Sequence, residues 1–295
     1  MLSILIPVYN YDVFALVNNL HNQCTKSKIT FEILCLDDAS NLFTIENQRI
    51  TQFENTSFLT LESNIGRSAI RNLLAKKANF ENLLFLDADT IPVHDNFILN
   101  YIFQINNEEK IVYGGISYQS EKPSKEKLLR WVYGRKRESI SPIERNKNPS
   151  KFALVSNLLI QKEIVKIYPF DETIHEYGYE DLLFFSILKS KDIQIIHIEN
   201  PTYHLNLESS NVFLDKTKTA LKNLKILKNS KKLSQEDSKI IAASEYLKKM
   251  KLIQIFTYFF ITTQAKIEQN LISEKPSLFL FDLYKLGYYC TLNIK

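Results

Sequence analysis

The segment Leu83-Leu84-Phe85-Leu86-Asp87-Ala88-Asp89 joins four apolar residues directly to two carboxylates. A short apolar run of this kind is typical of a strand that is buried on both faces of a parallel sheet. Earlier in the chain, Ile33-Leu34-Cys35-Leu36-Asp37-Asp38 shows the same arrangement. Ligands of open parallel sheets bind beyond the carboxyl ends of the strands. We therefore expect both acidic pairs at one edge of the same sheet.

Around these segments, short apolar or β-branched runs alternate with amphipathic helical stretches up to about residue 205. This alternation predicts an α/β fold with a mostly parallel central sheet. Predicted strands cover residues 2–8, 31–36, 57–61, 83–86, 111–117, 152–161 and 194–198. Predicted helices cover residues 13–24, 67–78, 96–105 and 180–189.

The chain changes character at about residue 206, where glycine nearly disappears and helical patterns follow one another. They cover residues 215–228, 235–249, 252–270 and 277–289. We expect an α/β domain over residues 1–205 and a helical region over residues 206–295. The many aromatic residues of this region suit internal packing, a homodimer contact or a membrane-facing patch. We favour packing, with peripheral membrane contact second.

Composition narrows the classes of protein further. The 295 residues are 45% hydrophobic and 24% charged, which fits a folded globular protein and excludes a fibre or a disordered tail. A net charge of +4 is too mild to predict a nucleic-acid partner. Cys24, Cys35 and Cys290 form no metal spacing and no disulfide framework, which indicates a reducing compartment. Without a signal-peptide pattern, we expect a cytoplasmic protein, with peripheral contact at the inner face of the membrane as a second expectation.

Three acidic or imidazole features have both a structural and a functional interpretation. Asp87 and Asp89 either end a strand and cap a helix or bind a hard divalent cation through oxygen. Glu180 and Asp181 either stabilise a helix N-terminus or supply a general base at the mouth of a cleft. His204 alone is more often a structural residue, and it becomes a candidate ligand only beside a cation.

Five motifs occur in a fixed order along the chain. They are Ser3-Ile4-Leu5-Ile6-Pro7-Val8-Tyr9-Asn10, Asp37-Asp38-Ala39-Ser40, Asn64-Ile65-Gly66-Arg67-Ser68-Ala69-Ile70-Arg71-Asn72, Leu86-Asp87-Ala88-Asp89 and Tyr179-Glu180-Asp181. In this order the chain closely resembles the family 2 glycosyltransferases, which have the GT-A fold. The resemblance covers roughly residues 1–205. Gly178-Tyr179-Glu180-Asp181 with the later His204 looks most like the branch with chondroitin-polymerising and β-galactosyltransferase-type domains.

The resemblance implies an inverting, metal-dependent transfer of a sugar from a UDP-sugar donor to a hydroxyl group. Asp89 and His204 would bind Mn²⁺ or Mg²⁺ on the diphosphate, and Asp87 would reach the ribose or a metal-bound water. Asp181 would be the catalytic base, and Glu180 would hold the acceptor hydroxyl. A divalent cation neutralises the charge that develops on a departing diphosphate, and base-assisted attack from the opposite face inverts the anomeric centre.

For the nucleotide, the resemblance implies a set of contacts from the first three motifs. Pro7, Tyr9 and Asn10 would lie under the base, and Asp38 would accept the uracil N–H, with Asp37 less directly placed. The remaining nucleotide contacts would come from Gly66, Arg67 and Arg71.

The donor sugar and the acceptor follow from the branch resemblance alone. It suggests galactose or N-acetylgalactosamine, transferred to a glycan or a lipid-linked saccharide in surface polysaccharide synthesis. A catalytically silent nucleotide- or carbohydrate-binding module is the alternative. A nucleotidyltransferase or a Rossmann dehydrogenase would need a glycine-rich loop after a strand, and Pro7-Val8-Tyr9-Asn10-Tyr11 has no glycine.

The stretch 122–151 contains ten Lys or Arg residues, among them Arg130, Arg135, Arg137 and Arg145. We expect a mobile loop around one helix at residues 125–135. It is either a solvated surface loop or a lid that closes over the donor diphosphate. Within it, Trp131 and Tyr133 suit either sugar stacking or a core position.

Overall fold

The structure is a computed structural model, which describes residues 1–106, 110–174 and 177–293. The chain divides into two compact units. Unit 1 consists of Met1–Tyr118, Glu138–His175 and Ile187–Asn206, and unit 2 of Gln119–Arg137, Glu176–Ser186 and Leu207–Lys295. The C-terminal helices thus cluster with two earlier segments, 119–137 and 176–186, which a single cut after residue 205 would assign to the α/β domain.

Ten strands are present in the described residues. They are β1 Leu2–Val8, β2 Phe31–Asp37, β3 Thr56–Thr60, β4 Asn82–Leu86, β5 Thr90–Pro92, β6 Ile111–Tyr113, β7 Ile116–Ser117, β8 Asn157–Gln161, β9 Ile196–His197 and β10 Thr202–His204. Seven of them form one sheet in the order β3-β2-β1-β4-β8-β6-β9. Only the pairs of β8 with β4 and β6 are antiparallel, so the sheet is mostly parallel. The other three form a small sheet in the order β5-β10-β7.

The helices differ widely in length. They are α1 Phe14–Lys26, α2 Thr44–Gln48, α3 Arg67–Lys77, α4 Phe97–Asn106, α5 Leu128–Tyr133, α6 Pro142–Arg145, α7 Pro149–Phe152, α8 Lys162–Ile167, α9 Glu180–Ser190, α10 Ser210–Asn229, α11 Lys239–Lys249, α12 Ile253–Leu271 and α13 Leu278–Thr291. Short 3-10 helices cover Arg49–Gln52 and Lys125–Lys127, and a π-helical turn covers Gly134–Glu138. No helix in the described ranges combines the length and the apolar character needed to cross a bilayer.

The core of unit 1 is built on β1 and its neighbours. Ile4, Leu5 and Ile6 are all fully buried although successive strand side chains point to opposite faces. The strand is therefore covered on both faces, as its continuous apolar run predicts. On one face, α1 contributes Leu16 and Leu20 to the same cluster.

Unit 2 has a separate core formed by α5, α10, α12 and α13. Its buried side chains are Leu129, Phe213, Leu214, Phe260, Ile267, Leu271, Phe281 and Tyr284. Helices α12 and α13 approach closely at Gly287, where a Cβ atom would lie 2.2 Å from the ring of Phe260. The helical C-terminal region predicted from the sequence is therefore confirmed, with helix bounds within a few residues of the predicted ones.

Three predicted elements differ from the structure. The predicted strand 111–117 is broken into β6 and β7, because Gly115 adopts a φ of +101°. The predicted strand 152–161 begins only at residue 157, after the short helix α7. The predicted mobile loop 122–151 is instead a series of short helical segments, including α5, α6 and α7.

Within that stretch, Arg145 is structural rather than a candidate diphosphate ligand. Its guanidinium is buried and donates to the carbonyl oxygens of Ile140, Gly114 and Ile198 at 2.8, 3.2 and 2.6 Å. A Cβ atom at Gly115 would lie 2.2 Å from Arg145 Nη1, so the glycine leaves room for it. The three cysteines are buried and free, as expected of a chain without a disulfide framework.

Candidate active site

The carboxyl ends of β1, β2 and β4 lie side by side at one edge of the central sheet. Strand β1 pairs in parallel with β2, with Val8 opposite Asp37, and with β4, with Leu5 opposite Phe85. The residues that follow these strands are therefore neighbours in unit 1. They include Tyr9, Asn10, Asp38, Asp87 and Asp89.

The Asp38 carboxylate fixes the turn that precedes α3. Its Oδ1 accepts the backbone N–H of Ile65 at 2.7 Å, and its Oδ2 accepts that of Gly66 at 3.1 Å. Gly66 has a φ of +84°, a conformation that a side chain would strain. Each carboxylate oxygen keeps a second lone pair, so Asp38 can still accept a ligand N–H.

Asn10 fixes a second loop beside the first. Its backbone has a φ of 51°, and its side-chain oxygen accepts the N–H groups of Asn41 and Leu42 at 2.9 and 3.2 Å. The backbone N–H of Asn10 donates to Ser40 Oγ at 2.7 Å. Asp37 also accepts from Ser40 and is fully buried, so this carboxylate has a structural role beneath the loop. Tyr9 is exposed at 54%, whereas Pro7 is half-buried within β1.

Asp87 forms an ion pair with an arginine inside unit 1. Arg71 Nη2 lies 3.5 Å from Asp87 Oδ1, and the arginine side chain is buried. The same guanidinium lies over the ring of Phe170, 5.6 Å from its centroid. Arg71 therefore supports Asp87 from below the edge of the sheet, whereas the Arg67 side chain, one helical turn earlier, is exposed.

The small sheet brings His204 to Asp89. Strand β5 follows Asp89 directly and pairs antiparallel with β10, so that His204 lies opposite Thr90. Leu205 N donates to Asp89 O at 2.8 Å, which secures the same pairing. As a result, His204 Nε2 lies 3.5 Å from Asp89 Oδ2. The ring of Tyr118 stacks on the imidazole with the two centroids 5.6 Å apart.

The surroundings of Asp89 disfavour its charged form. Burial raises the pKa of Asp89; His204 and Arg67 oppose this rise, while Asp87 adds to it. Burial, together with the charge of Asp89, also raises the pKa of the nearby Tyr11 phenol. A half-buried carboxylate of raised pKa is an arrangement that a bound cation would stabilise.

The chemistry of Asp89 and His204 fits a divalent cation. Carboxylate oxygen and imidazole nitrogen both bind Mn²⁺, and adjacent ligands of an octahedral ion lie about 3 Å apart, close to the observed separation. His204 Nδ1 is buried with no hydrogen-bond partner among the described residues. In those residues, no three His, Cys, Asp or Glu side chains form a metal cluster. A cation would therefore take its remaining ligands from donor phosphates and water.

Glu180 and Asp181 belong to unit 2, in the first turn of α9. The chain enters this helix through Gly178 and Tyr179, whose φ angles are +103° and 72°. A Cβ atom at Gly178 would lie 2.4 Å from the Cβ of Ala220, so glycine allows the close approach to α10. Glu180 is buried, and Asp181 is half-buried.

Two residues beside the candidate ligands are absent from the sequence prediction. Tyr11 lies near Asp89, and Tyr118 covers the His204 ring and bonds through its hydroxyl to Glu138. Tyr11 directly follows the first motif, and this position in the sequence could have indicated that it lies near the site. Tyr118 follows a two-residue strand and carries no such signal.

The fold and the acidic residues at this sheet edge form an architecture of the nucleotide-sugar transferase type. Comparison with sequence models of protein families identifies the family. The sequence model of the family described as Glycosyl transferase family 2 matches residues 3–166, more than half of the chain. The chain belongs to this family and is a glycosyltransferase. An uncharacterized glycosyltransferase of Haemophilus influenzae is 23% identical over 236 residues, which cover 79% of this chain and 90% of the relative.

Solved structures agree on the fold. S. aureus TarS 1-349 in complex with UDP superposes with a TM-score of 0.50 and 19% identity, covering 77% of this chain and 65% of the relative. The mannosyltransferase PcManGT of Pyrobaculum calidifontis, in complex with GDP-Man and Mn2+, gives a TM-score of 0.55 and 12% identity, covering 75% and 61%. The chain thus spans less than two thirds of the length of each of these two relatives. These likenesses show the GT-A fold.

Proposed function

We propose that this glycosyltransferase is a metal-dependent, inverting enzyme that transfers a sugar from a UDP-sugar to a hydroxyl of a glycan or a lipid-linked saccharide. The observation that carries the proposal is the Asp89–His204 pair at 3.5 Å, at the same sheet edge as Asp38. This sheet edge combines a half-buried acid, an imidazole and an acceptor for a base N–H in unit 1.

The nucleotide would lie across the ends of β1 and β2. Asp38 would accept the uracil N–H with the lone pairs that the turn leaves available. Tyr9 and Asn10, with Pro7, would line the base, and Gly66 would let the backbone approach. The complexes of related folds with UDP and with GDP-Man support a nucleotide-sugar donor as a class.

The diphosphate would be held beyond the end of β4 by positive charge, which a divalent cation and Arg67 would supply. Asp89 and His204 would bind Mn²⁺ or Mg²⁺, which when bound neutralises the charge that develops on the leaving diphosphate. Arg67 would add a positive charge near Asp89, and Arg71 would orient Asp87 toward the ribose. The Mn2+ in the PcManGT structure supports a divalent cation in this fold.

Asp181 would remove the proton of the acceptor hydroxyl as that oxygen attacks the anomeric carbon. The carbon–oxygen bond to the diphosphate breaks as the new glycosidic bond forms, which inverts the anomeric centre without a covalent intermediate. Glu180 would hold the acceptor hydroxyl in place. Support for these two roles comes from the motif and from their position in the first turn of α9.

The test is binding and release of UDP. In calorimetry with Mn²⁺, we expect the chain to bind UDP, and EDTA should abolish binding or weaken it greatly. Release of UDP from UDP-galactose, UDP-N-acetylgalactosamine, UDP-glucose and UDP-N-acetylglucosamine, compared with release of GDP from GDP-mannose, then identifies the donor. We expect galactose or N-acetylgalactosamine to give the highest rate.

Asp89→Ala should lower the rate of release at least about a hundredfold, because the diphosphate loses its charge stabilisation. Asp95→Ala is the matched control, since Asp95 is exposed and lies only six residues away. If the folded wild-type chain binds no UDP in the presence of Mn²⁺, the proposal is wrong.

A further inference from the structure

The first half of α12 presents a broad apolar face to solvent. Leu252, Ile255, Tyr258, Phe259 and Ile261 are 43%, 67%, 73%, 51% and 59% exposed. Residues three and four positions apart share one side of a helix, so these side chains form a continuous stripe. Ten residues of helix span about 15 Å. Exposed apolar surface of this density marks a site of interaction rather than ordinary surface.

The opposite side of α12 is fixed in the core of unit 2. Thr257, Phe260, Ile267 and Leu271 are buried, and the Phe260 ring packs edge-on against Tyr284 with centroids 5.8 Å apart. These buried residues already give α12 the apolar face that packs into the core. Its outer apolar residues are therefore additional to those that the fold requires.

Positive charge flanks this face. Lys248 and Lys249 are exposed at the end of α11, Lys251 is exposed in the turn before α12, and Lys266 is exposed farther along α12. The sequence has no Asp or Glu between Glu245 and Glu268. The combination is a stripe of aromatic and aliphatic side chains with a lysine cluster at one end.

We propose that this surface, residues 248–262, binds the face of an anionic lipid bilayer. Tyr258 and Phe259 would enter the boundary between headgroups and acyl chains, and the lysines would contact anionic headgroups. A self-associating dimer is disfavoured, because residues 246–267 include no acid that could pair with the lysines of a second copy. The proposal goes beyond the transferase activity and does not depend on it.

The experiment is flotation of the full chain with lipid vesicles, in the absence of nucleotide. We expect the chain to float with vesicles of phosphatidylglycerol and phosphatidylcholine, to stay in solution with pure phosphatidylcholine, and to lose binding as salt rises. Each lysine near an anionic surface strengthens partition about fivefold. Lys248→Gln, Lys249→Gln and Lys251→Gln combined should therefore weaken it roughly a hundredfold.

The apolar part is tested by a triple variant, Ile255→Gln, Tyr258→Gln and Phe259→Gln, which keeps good helix formers at each position. It should stay in solution with both vesicle types while its circular dichroism matches the wild type. Leu99→Gln with Phe103→Gln is the matched control, because these residues are also exposed, at 51% and 62%, one turn apart on α4. This control should float like the wild type.

Any of three results would overturn the proposal. The first is a wild-type chain that remains in solution with anionic vesicles, and the second is a triple variant that floats as well as the wild type. The third is a wild-type dimer in analytical ultracentrifugation that the triple variant converts to a monomer, which would assign the face to a second copy.

Discussion

His197, on β9, is a buried imidazole held in its neutral form. It is 3% exposed, its Nε2 lies 3.0 Å from Pro149 O, and its ring packs edge-on against Tyr113. Burial, and after it the positive charge of Arg145, together lower the pKa of His197 from an ordinary value of 6.5 to about 4. Here a single residue couples the stability of the sheet to pH.

We expect this coupling to appear as a loss of stability in acid. Between pH 6.5 and pH 4 the unfolded chain binds a proton at this histidine that the folded chain does not, so the free energy of unfolding falls as pH falls. The loss should be about 2 kcal/mol after allowance for solvent screening. Urea unfolding at pH 7 and pH 4.5 measures it.

His197→Gln should remove most of this pH dependence, because an amide N–H can still donate to Pro149 O without titrating. His94→Gln is the control at an exposed histidine and should keep the wild-type dependence. Equal pH dependence in the wild type and His197→Gln would contradict the assignment.

At the scale of elements, the long apolar strands were predictable and the short ones were not. Strands β1, β2 and β4 lie within a residue of their predicted bounds, since a short apolar run that ends at polar residues, such as 83–86, favours a buried strand. Strands β5 and β10 have three residues each, too few to show a period. Yet their pairing is what brings His204 to Asp89.

The candidate site was likewise predictable only where its residues belong to local sequence motifs. Sequence motifs predicted which residues follow the sheet edge, and the structure brings Asp38, Asp87 and Asp89 together there. The sequence could not predict that Arg145 fills a buried position under Gly115, because long-range contacts to backbone carbonyls leave no local pattern. Nor could it show that the segment 119–137 clusters with the C-terminal helices.

The contact between α12 and α13 gives a prediction about packing. Gly287→Ala normally stabilises a helix, but here the new Cβ would lie 2.2 Å from the buried Phe260 ring. We expect overpacking to cost about 1–3 kcal/mol, seen as a fall in Tm of about 2–6 °C by differential scanning fluorimetry.

A second substitution separates overpacking from other causes. Phe260→Leu in the Gly287→Ala background should recover part of the lost Tm, so that the double variant is more stable than the sum of the single effects predicts. Strict additivity of the two changes would argue against contact between these residues.

At the scale of the whole molecule, the proposed donor and acceptor functions fall in different units. The nucleotide and metal candidates Asp38, Asp89 and His204 are in unit 1, whereas Glu180 and Asp181 are in unit 2. If the proposed roles hold, donor binding and proton removal should be separable by mutation.

Asp181→Asn is therefore expected to bind UDP with Mn²⁺ within about twofold of the wild type, because the donor contacts remain. Its rate of UDP release should fall about 10²–10⁴-fold, since the base is lost. Calorimetry and a UDP-release assay on the same preparation measure the two effects.

The matched control is Asp192→Asn, just beyond the other end of α9, where a φ of 53° suits asparagine as well as aspartate. It should change neither quantity. Unimpaired release by Asp181→Asn would remove Asp181 from the chemistry, and a large loss of UDP affinity would place it in donor binding instead.

The antiparallel pairing of β5 with β10 has a consequence for synthesis on the ribosome. The part of the chain that matches the family sequence ends at residue 166, well before β10 begins at Thr202. A growing polypeptide of that length already contains Asp89 but not the strand that delivers its imidazole neighbour. The pair cannot form until β10 has been synthesised and has left the exit tunnel, so the proposed cation site is completed only after the segment that matches the family sequence.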